Sequence, residues 1–337
     1  MNDSGWGVYV HVPFCTKRCP YCAFVLIESD GSLHERFVEK VCREVELRRP
    51  KARTVYFGGG TPSLLTSEQL GRILRSVGGS QEEVTVECNP AEVRFDGLRE
   101  AGVDRVTLGI QALDDELLRF LGREHDAETA RRAYREASAR IGNVCVDLIF
   151  GVPGQTLAQW KRTLEEVRSW EPAHVSLYGL TYEQGTPFEK ILDRLPEGLE
   201  RAMYEAAMDL LPEYHHYEIS NFARPGFESK HNRAYWEGIP YLGLGPGAHS
   251  YDGIQRWQNV ANVREWLERE DVVQFRETLT PEQIRIERLL LGLRQDVGVE
   301  LASIPAGLEK FLERAGTRVR LTREGRCVAD TVIAKLI

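Results

Sequence analysis

Three of the seven cysteines lie close together near the start of the chain, at Cys15, Cys19 and Cys22. The spacing C-x3-C-x2-C follows a predicted strand and places three thiols on one tight loop. Three thiolates can hold three corners of a cubane [4Fe-4S] cluster and leave its fourth iron open to an outside ligand. A structural zinc ion normally has four protein ligands, so a zinc site would need a fourth group such as His11. The spacing favours the cluster, with zinc as the alternative.

A glycine-rich turn is the second candidate for ligand binding. Residues Phe57–Pro62 read F-G-G-G-T-P and lie between a predicted strand and a predicted helix. Glycines let a backbone approach a ligand and present its N–H groups. No Gly-Lys-Ser/Thr follows, so the stretch is not a P-loop. A tight strand-to-helix turn without a ligand is the alternative.

Four polar side chains stand at or just beyond the ends of predicted strands: Glu87, Gln111, Arg123 and Asp147. Each one alone could cap a helix or form a surface ion pair. Their order along the chain matches the order of the strands, so together they indicate a ligand site above the strand ends.

The segment Lys230–Trp236, which reads K-H-N-R-A-Y-W, could bind a macrocycle. A neutral imidazole such as that of His231 is a good axial ligand for heme iron. Tyr235 and Trp236 would add flat apolar surface with polar tips. In a helix, His231 and Tyr235 would share one face. The alternatives are a structural helix with a hydrogen-bonded core histidine, or a different heme ligand from among His215, His216 and His249.

The positions of these residues depend on the elements around them. In the first two thirds of the chain, short apolar strands alternate with amphipathic helices. Strands are predicted at Gly7–Val12, Thr54–Phe57, Glu83–Glu87, Arg105–Ile110, Val144–Phe150 and His174–Tyr178. Strands separated by helices require right-handed crossovers and a parallel sheet. Six units are too few for a closed eight-stranded barrel. The pattern predicts an α/β fold with an open, partial, six-stranded parallel β/α barrel whose site lies at the carboxyl ends of the strands.

The pattern changes beyond about Pro187, and three regions are predicted: a barrel core at 1–213, a connecting segment at 214–262 and a C-terminal domain at 263–337. A helix is predicted at Leu199–Leu211. The tail starts with a capping box and proline at 280–283 and includes a predicted hairpin at Arg318–Ala329, centred on Arg323–Gly325. This order is typical of a helical, winged-helix-like domain.

Composition and charge exclude several classes of protein. The 337 residues include 43 basic and 51 acidic side chains, a net charge of −8, which argues against a general binder of nucleic acid or anionic lipid. The arginines of the tail are therefore expected to be a solvated face rather than a DNA-binding surface. No apolar run is long enough to span a membrane. Residues 1–7 contain no secretory pattern, so a cytoplasmic protein is expected.

The stretch Tyr9–Cys15, which reads Y-V-H-V-P-F-C, together with the cysteine triplet resembles the radical S-adenosylmethionine (SAM) superfamily, in particular its HemN/HemW branch. The resemblance implies that the open iron binds SAM and that an electron, supplied by a donor, cleaves SAM to methionine and a 5′-deoxyadenosyl radical. It implies SAM contacts at Tyr9, Gly59, Gly60, Thr61, Glu87, Gln111, Arg123 and Asp147. It implies heme contacts at His231, Asn232, Tyr235 and Trp236, with His231 as the iron ligand.

That branch contains both an oxidase that decarboxylates coproporphyrinogen III and heme chaperones. Phe24 stands where the oxidase pattern has a fourth cysteine, and only 14 residues precede Cys15, where the oxidase has an N-terminal extension. The motif H-N-x-x-Y-W at His231 marks the heme-binding members. The resemblance therefore implies a protein of porphyrin metabolism that carries heme to acceptor proteins, respiratory proteins at the membrane surface being one candidate. Porphyrinogen oxidation or a related radical reaction is the alternative; SAM turnover and oligomeric state stay open.

Overall fold

One mixed sheet of twelve strands dominates the computed structural model, which describes residues 5–29 and 31–337. The prediction for residues 1–7 therefore lies partly outside the described residues. The strands of this sheet are β1 (Trp6–Val12), β4 (Ala52–Gly59), β5 (Glu83–Cys88), β6 (Arg105–Gln111), β7 (Val144–Phe150), β8 (His174–Gly179), β9 (His215–His216), β10 (Asn221–Ala223), β11 (Tyr241–Leu244), β12 (His249–Tyr251), β13 (Gln255–Asn259) and β14 (Val273–Thr278). Their order in the sheet is β14-β13-β12-β11-β1-β4-β5-β6-β7-β8-β10-β9.

All six predicted strands are present, as β1 and β4 to β8, and run parallel to one another. A seventh parallel strand was missed: β11 pairs with β1, with Gly7 opposite Tyr241. It has only four residues, one of them glycine, which is too short a pattern to predict. The segment 214–262, predicted as a connection, thus supplies β9 to β13 to the main sheet. The sheet has two edges, β14 and β9, and forms an open barrel.

In the part of the chain that the structure describes, six helices cover the outer face of the sheet, and their sequences determine where they start and which side of each is buried. They are α1 (His34–Arg48), α2 (Ser67–Val77), α3 (Asp115–Phe120), α4 (Ala127–Arg140), α5 (Leu157–Ser169) and α6 (Glu197–Leu210). A capping box of Thr66 and Gln69 starts α2, whose Leu70 and Ile73 are fully buried. Burial of each such side chain contributes about 1.5–3 kcal/mol.

Alternate residues of the parallel strands face in opposite directions. Val8, Val10 and Val12 of β1 face outward into the main hydrophobic core beneath the helices. The inward positions are largely polar, as at Tyr56 and Glu87, which are hydrogen-bonded to each other across the barrel interior. The interior of the barrel is therefore a place for polar chemistry rather than a second apolar core.

Within the predicted C-terminal domain, the residues from Leu289 onward form a hydrophobic core separate from the main one. The domain contains α9 (Pro281–Leu293), β15 (Val299–Glu300), β16 (Leu312–Ala315), β17 (Arg318–Leu321), α10 (Arg323–Cys327) and α11 (Ala329–Ala334). The predicted hairpin is misplaced: the turn lies at Gly316, with a φ of +65°, and joins β16 to β17. The Thr322 hydroxyl accepts from the backbone N–H of Gly325 and starts α10, so the Arg323–Gly325 stretch is helical. Four further elements lie elsewhere among the described residues: β2 (Phe14–Cys15), β3 (Ile27–Glu28), α7 (Lys230–Trp236) and α8 (Val263–Glu268).

The C-terminal domain is attached to the barrel by polar contacts. Arg323 forms an ion pair of 2.6 Å with Asp209 of α6, and His215 lies between Glu228 and Asp296 at 2.8 and 2.7 Å. The other arginines of the tail also contact protein groups: Arg314, Arg318, Arg320 and Arg326. Among the described residues, no helix combines the length and apolarity needed to cross a membrane.

Candidate functional site

A cavity of about 540 Å³ opens at the carboxyl ends of the parallel strands. All three cysteines of the triplet line it, and so do seven of the eight residues predicted to contact SAM: Gly59, Gly60, Thr61, Glu87, Gln111, Arg123 and Asp147. Residues from five different strand ends thus meet around one space. A volume of this size suits one ligand of ordinary cofactor dimensions.

The cysteine loop follows β1 directly and presents free thiols to the cavity. Cys15 is buried at the end of β2, with its Sγ 3.3 Å from the hydroxyl oxygen of Thr61. Burial raises the pKa of Cys15 to about 11, against a hydrogen bond from Thr61 that lowers it. A metal or cluster at this loop would displace that proton. The Arg123 guanidinium donates to Cys19 Sγ at 3.6 Å.

A zinc ion fits this site poorly because the proposed fourth ligand is already engaged. The ring Nδ1 of His11 lies 3.2 Å from the Tyr9 hydroxyl, and its Nε2 lies 2.6 Å from the carbonyl oxygen of Val25. Over residues 5–29 and 31–337, no three His, Cys, Asp or Glu side chains surround a single point at the distances of one ion. Ligands to separate corners of a cubane do not need to converge in that way, so the thiols suit a cluster better.

The glycine-rich turn contacts β2, the short strand that includes Cys15, and it also lines the cavity. Gly59 has a φ of +110°, and its backbone N–H donates to Glu87 Oε2 at 3.1 Å. A Cβ at Gly60 would lie 2.6 Å from the carbonyl oxygen of Phe14, the residue before Cys15. The turn therefore needs glycine for close contact with its own chain. This is part of what the alternative interpretation, a tight strand-to-helix turn without a ligand, predicts.

Two carboxyl groups lie in the wall of the cavity. Burial raises the pKa of Glu87 to about 7, although the Tyr56 O–H donates to its Oε1 at 2.8 Å. Burial likewise raises the pKa of Asp147 to about 6. Both groups can therefore exchange protons near neutral pH and can accept hydrogen bonds from a polar ligand when ionised.

Two other side chains keep unpaired polar atoms. Gln111 has a left-handed backbone with φ +67°, and its buried Oε1 lacks a hydrogen-bond partner among the described residues. Arg123 donates to Asn89 Oδ1 and to the Gly109 carbonyl at 3.0 Å each, while its buried Nε is unpaired in the described part of the chain. Strained backbone and unsatisfied buried atoms concentrate where a ligand completes the structure. The cavity therefore suits a ligand with both donor and acceptor groups.

Tyr9 is the exception among the residues predicted to contact SAM. It does not line the cavity; its ring stacks on Tyr56 with 6.2 Å between centroids, and its hydroxyl pairs with His11. Tyr9 lies three residues before the end of β1, at the same depth as Asp147 in β7, but its ring and hydroxyl are engaged by Tyr56 and His11. The SAM contact of Tyr9 stays a prediction.

The residues predicted to bind heme lie at the opposite end of the barrel. His231 is on α7, which packs against the amino ends of β1, β4 and β5. Its Nδ1 is 2.9 Å from the Thr54 hydroxyl oxygen, and burial lowers its pKa to about 4. The imidazole is therefore neutral at physiological pH, the form that coordinates a metal.

The other motif residues differ in exposure. Tyr235 is 41% exposed and makes an edge contact with Trp236 at 5.0 Å between centroids. The Arg294 guanidinium lies 4.8 Å from the Trp236 ring centroid, and the indole N–H of Trp236 is buried and unpaired among the described residues. Asn232 lies in the first turn of α7, with its backbone N–H donating to the Ser229 hydroxyl. The helix thus offers an aromatic surface beside His231.

Of the rival histidines, two are occupied by other contacts. His215 is held between two carboxylates, and His216 stacks on Phe222 with 3.9 Å between centroids. His249 begins β12 with an exposed side chain and could still act as a ligand. His231 differs from His249 in lying within the motif and next to its aromatic residues.

Comparison with known proteins agrees with this geometry. The sequence model of the radical SAM superfamily matches residues 9–167. A heme chaperone HemW from Lactococcus lactis is 36% identical over 87% of this chain and 82% of its own length. One from Mycobacterium tuberculosis is 34% identical over 100% of this chain and 96% of its own length. This chain belongs to the HemW family of radical SAM proteins.

The fold of this HemW-family chain is also found in a distant solved structure. Coproporphyrinogen III oxidase from Escherichia coli superposes with a TM-score of 0.82, covering 98% of this chain and 89% of its own. At 21% identity the likeness concerns the fold alone. The radical SAM fold predicted from the sequence, with its partial barrel, is thereby confirmed.

Sequence reasoning missed several residues that support both ends of the HemW-family barrel. Tyr56 contacts Glu87 with its hydroxyl and faces the His231 ring at 5.2 Å between centroids. Thr54 and Glu83 hold α7 in place. Their strands were predicted, and alternation shows that all three point inward. The pairing of these strands with α7, far along the chain, leaves no local signal.

Proposed function

We propose that the protein is a heme chaperone that binds a [4Fe-4S] cluster, SAM and heme and transfers heme to acceptor proteins. The observation that carries the proposal is the helix α7, which presents a neutral His231 next to Tyr235 and Trp236, away from the cavity. A carrier needs a heme site from which the heme can leave, and a site outside the barrel cavity meets that need.

The chain's own residues have distinct parts in the cavity. The three thiols of the cysteine loop would hold the cluster, and Arg123 would stabilise their negative charge. The backbone of Gly59 and the side chains of Thr61, Glu87, Gln111 and Asp147 would orient SAM, with Gln111 using its unpaired Oε1. When bound, the cluster supplies one-electron chemistry to SAM. An external electron donor and a cytoplasmic location, in keeping with bacterial relatives, belong to the same proposal.

Porphyrinogen oxidation is the competing function, and one observation opposes it. Phe24 occupies the position of the oxidase's fourth cysteine; it lines the cavity and is 61% exposed.

One experiment separates the two functions. The protein, reconstituted with iron and sulfide and reduced under anoxic conditions, is incubated with SAM and coproporphyrinogen III, and separately titrated with hemin. A chaperone is expected to form no protoporphyrinogen and to give a saturable Soret band that transfers to an apo-cytochrome. Formation of protoporphyrinogen at a turnover rate would overturn the proposal. An unchanged hemin affinity in His231→Ala would remove His231 as the ligand.

A further inference from the structure

His231 is fixed by groups outside its own motif. Its Nδ1 lies 2.9 Å from the hydroxyl oxygen of Thr54, a buried residue of β4. On one side the ring rests on Gly7, where a Cβ would lie 3.3 Å from the imidazole Cε1. On the other side Tyr56 faces it with ring centroids 5.2 Å apart and planes tilted by 30°. The imidazole thus has one hydrogen-bond partner and two packing walls.

The start of the helix is anchored by a single buried carboxylate. Glu83 is 4% exposed and accepts the backbone N–H of His231 at 3.1 Å and that of Lys230 at 2.9 Å. It also accepts the Ser229 hydroxyl at 3.1 Å. Three bonds to one carboxylate fix both the position and the rotation of α7, and therefore the direction in which His231 leaves the backbone.

The second ring nitrogen is left available. Within the described residues, Nε2 of His231 has no hydrogen-bond partner. A histidine that donates its Nδ1–H to a fixed acceptor keeps the lone pair of Nε2 for a metal, and the partner at Nδ1 sets the tautomer and the ring orientation.

We propose that Thr54 and Glu83 are positioning residues for heme ligation: Thr54 accepts the Nδ1–H of His231 and holds its Nε2 lone pair ready for the iron, while Glu83 fixes the helix that carries it. The inference rests on the proposed function. It assigns a role in the heme site to residues of β4 and β5, which lie outside the H-N-x-x-Y-W motif.

The test uses three threonine variants of the full-length protein, titrated with hemin and examined by resonance Raman spectroscopy in the ferrous state. Thr54→Val keeps the shape of the side chain and removes the acceptor. It is expected to weaken hemin binding about tenfold or more, as for other partners of metal-binding histidines, and to lower the iron–histidine stretching frequency. Thr54→Ser restores the hydroxyl and is expected to recover both. Thr85→Val is the matched control, because Thr85 is buried one strand away and its hydroxyl has no partner among the described residues.

Glu83→Gln provides a second measurement that does not depend on Thr54. It keeps an oxygen acceptor but removes the charge, and is expected to weaken hemin binding several-fold. Near-UV circular dichroism of each variant checks that the barrel is folded.

The outcomes distinguish this inference from the proposed function. If His231→Ala abolishes the wild-type Soret band while folded Thr54→Val and Glu83→Gln match the wild type in affinity and stretching frequency, the positioning role is overturned and the heme site stands. If His231→Ala itself binds hemin as the wild type does, the proposed heme site fails. An equal loss in Thr54→Val and Thr85→Val would show a packing effect and would also overturn the positioning role.

Discussion

At the scale of single residues, the cavity holds two carboxyl groups that burial keeps near their protonated forms. The pKa of Glu87 is raised to about 7 and that of Asp147 to about 6, both chiefly by loss of water. Hydrogen bonds from Tyr56 and Gly59 offset only part of the effect at Glu87. A site of this kind is more stable when the ligand that pairs with the carboxylate is present, and less stable when it is empty at high pH.

The apoprotein should therefore lose stability as the pH rises through the range of these groups. Between about pH 4.5 and 7, folded Glu87 keeps a proton that the unfolded chain releases, so the free energy of unfolding falls with rising pH. The contribution from Glu87 is at most about 3 kcal/mol. Urea denaturation of Glu87→Gln from pH 5 to 8 is expected to show a shallower decline than the wild type. Replacement of exposed Glu46 by Gln is the control, and equal slopes in all three proteins would contradict the pKa assignment.

Arg123 gives a second prediction for a single residue. Its guanidinium contacts Cys19, Asn89 and the Gly109 carbonyl. Arg123→Met removes the positive charge and three contacts. We expect about tenfold weaker SAM binding and lower retention of iron and sulfide after reconstitution. The control is Arg135→Met, because Arg135 is largely exposed and pairs with Glu128 on the surface. Full iron retention and unchanged SAM affinity in Arg123→Met would refute the assignment.

At the scale of elements, the glycine turn after β4 and the cysteine strand β2 are built against each other. Backbone N–H groups of Gly60 and Thr61 donate to the carbonyls of Val12 and Phe14 at 2.8 and 2.7 Å. The turn therefore sets the position of the first cysteine as much as it shapes the ligand cavity.

Gly60→Ala should damage this contact. A Cβ 2.6 Å from the Phe14 carbonyl oxygen forces the two segments apart, which is expected to cost about 1–3 kcal/mol of unfolding free energy and to reduce cluster loading. Gly198→Ala, in open space on α6, is the control and should be neutral or stabilise by a few tenths of a kcal/mol. The result would contradict the packing argument if both variants unfolded at the same urea concentration.

The elements also show what a sequence can predict. Capping boxes and strand alternation are local signals, and Thr280 starts its helix with the expected partner Gln283. Of the eight residues predicted to contact SAM, seven line the cavity. Four of them were also indicated by their places near strand ends: Glu87, Gln111, Arg123 and Asp147. The hairpin at Gly316 is a local feature whose turn was placed several residues too late. The strand β11 was not predicted because it depends on pairing with β1, far back in the chain. For the same reason no local pattern links Thr54 and Glu83 to His231.

At the scale of the whole molecule, the two candidate sites use opposite ends of one barrel. The cysteine loop follows the carboxyl end of β1, whereas α7 contacts its amino end. No residue of the motif at His231 is among those that line the cavity.

Loss of the cluster should therefore leave hemin binding intact. In a variant with Cys15, Cys19 and Cys22 all replaced by Ala, iron and sulfide analysis should show no cluster. The hemin affinity from Soret titration is expected to stay within about threefold of the wild type, because the groups around His231 are unchanged. A loss of tenfold or more would show that the heme site depends on the cluster loop. His231→Ala serves as the reciprocal control, with an intact cluster and weakened hemin binding.

The pairing of β1 with β11 also has a consequence for biosynthesis. β1 is made first, but its partner on one side is encoded far later in the chain. At roughly 5–20 residues per second, β11 leaves the ribosome on the order of ten seconds or more after β1. During that interval β1 can join β4 but has an open edge beside the thiols of Cys15 and its neighbours. An unpaired strand edge is a template for wrong pairing, so misassociation of the nascent chain is favoured during this interval.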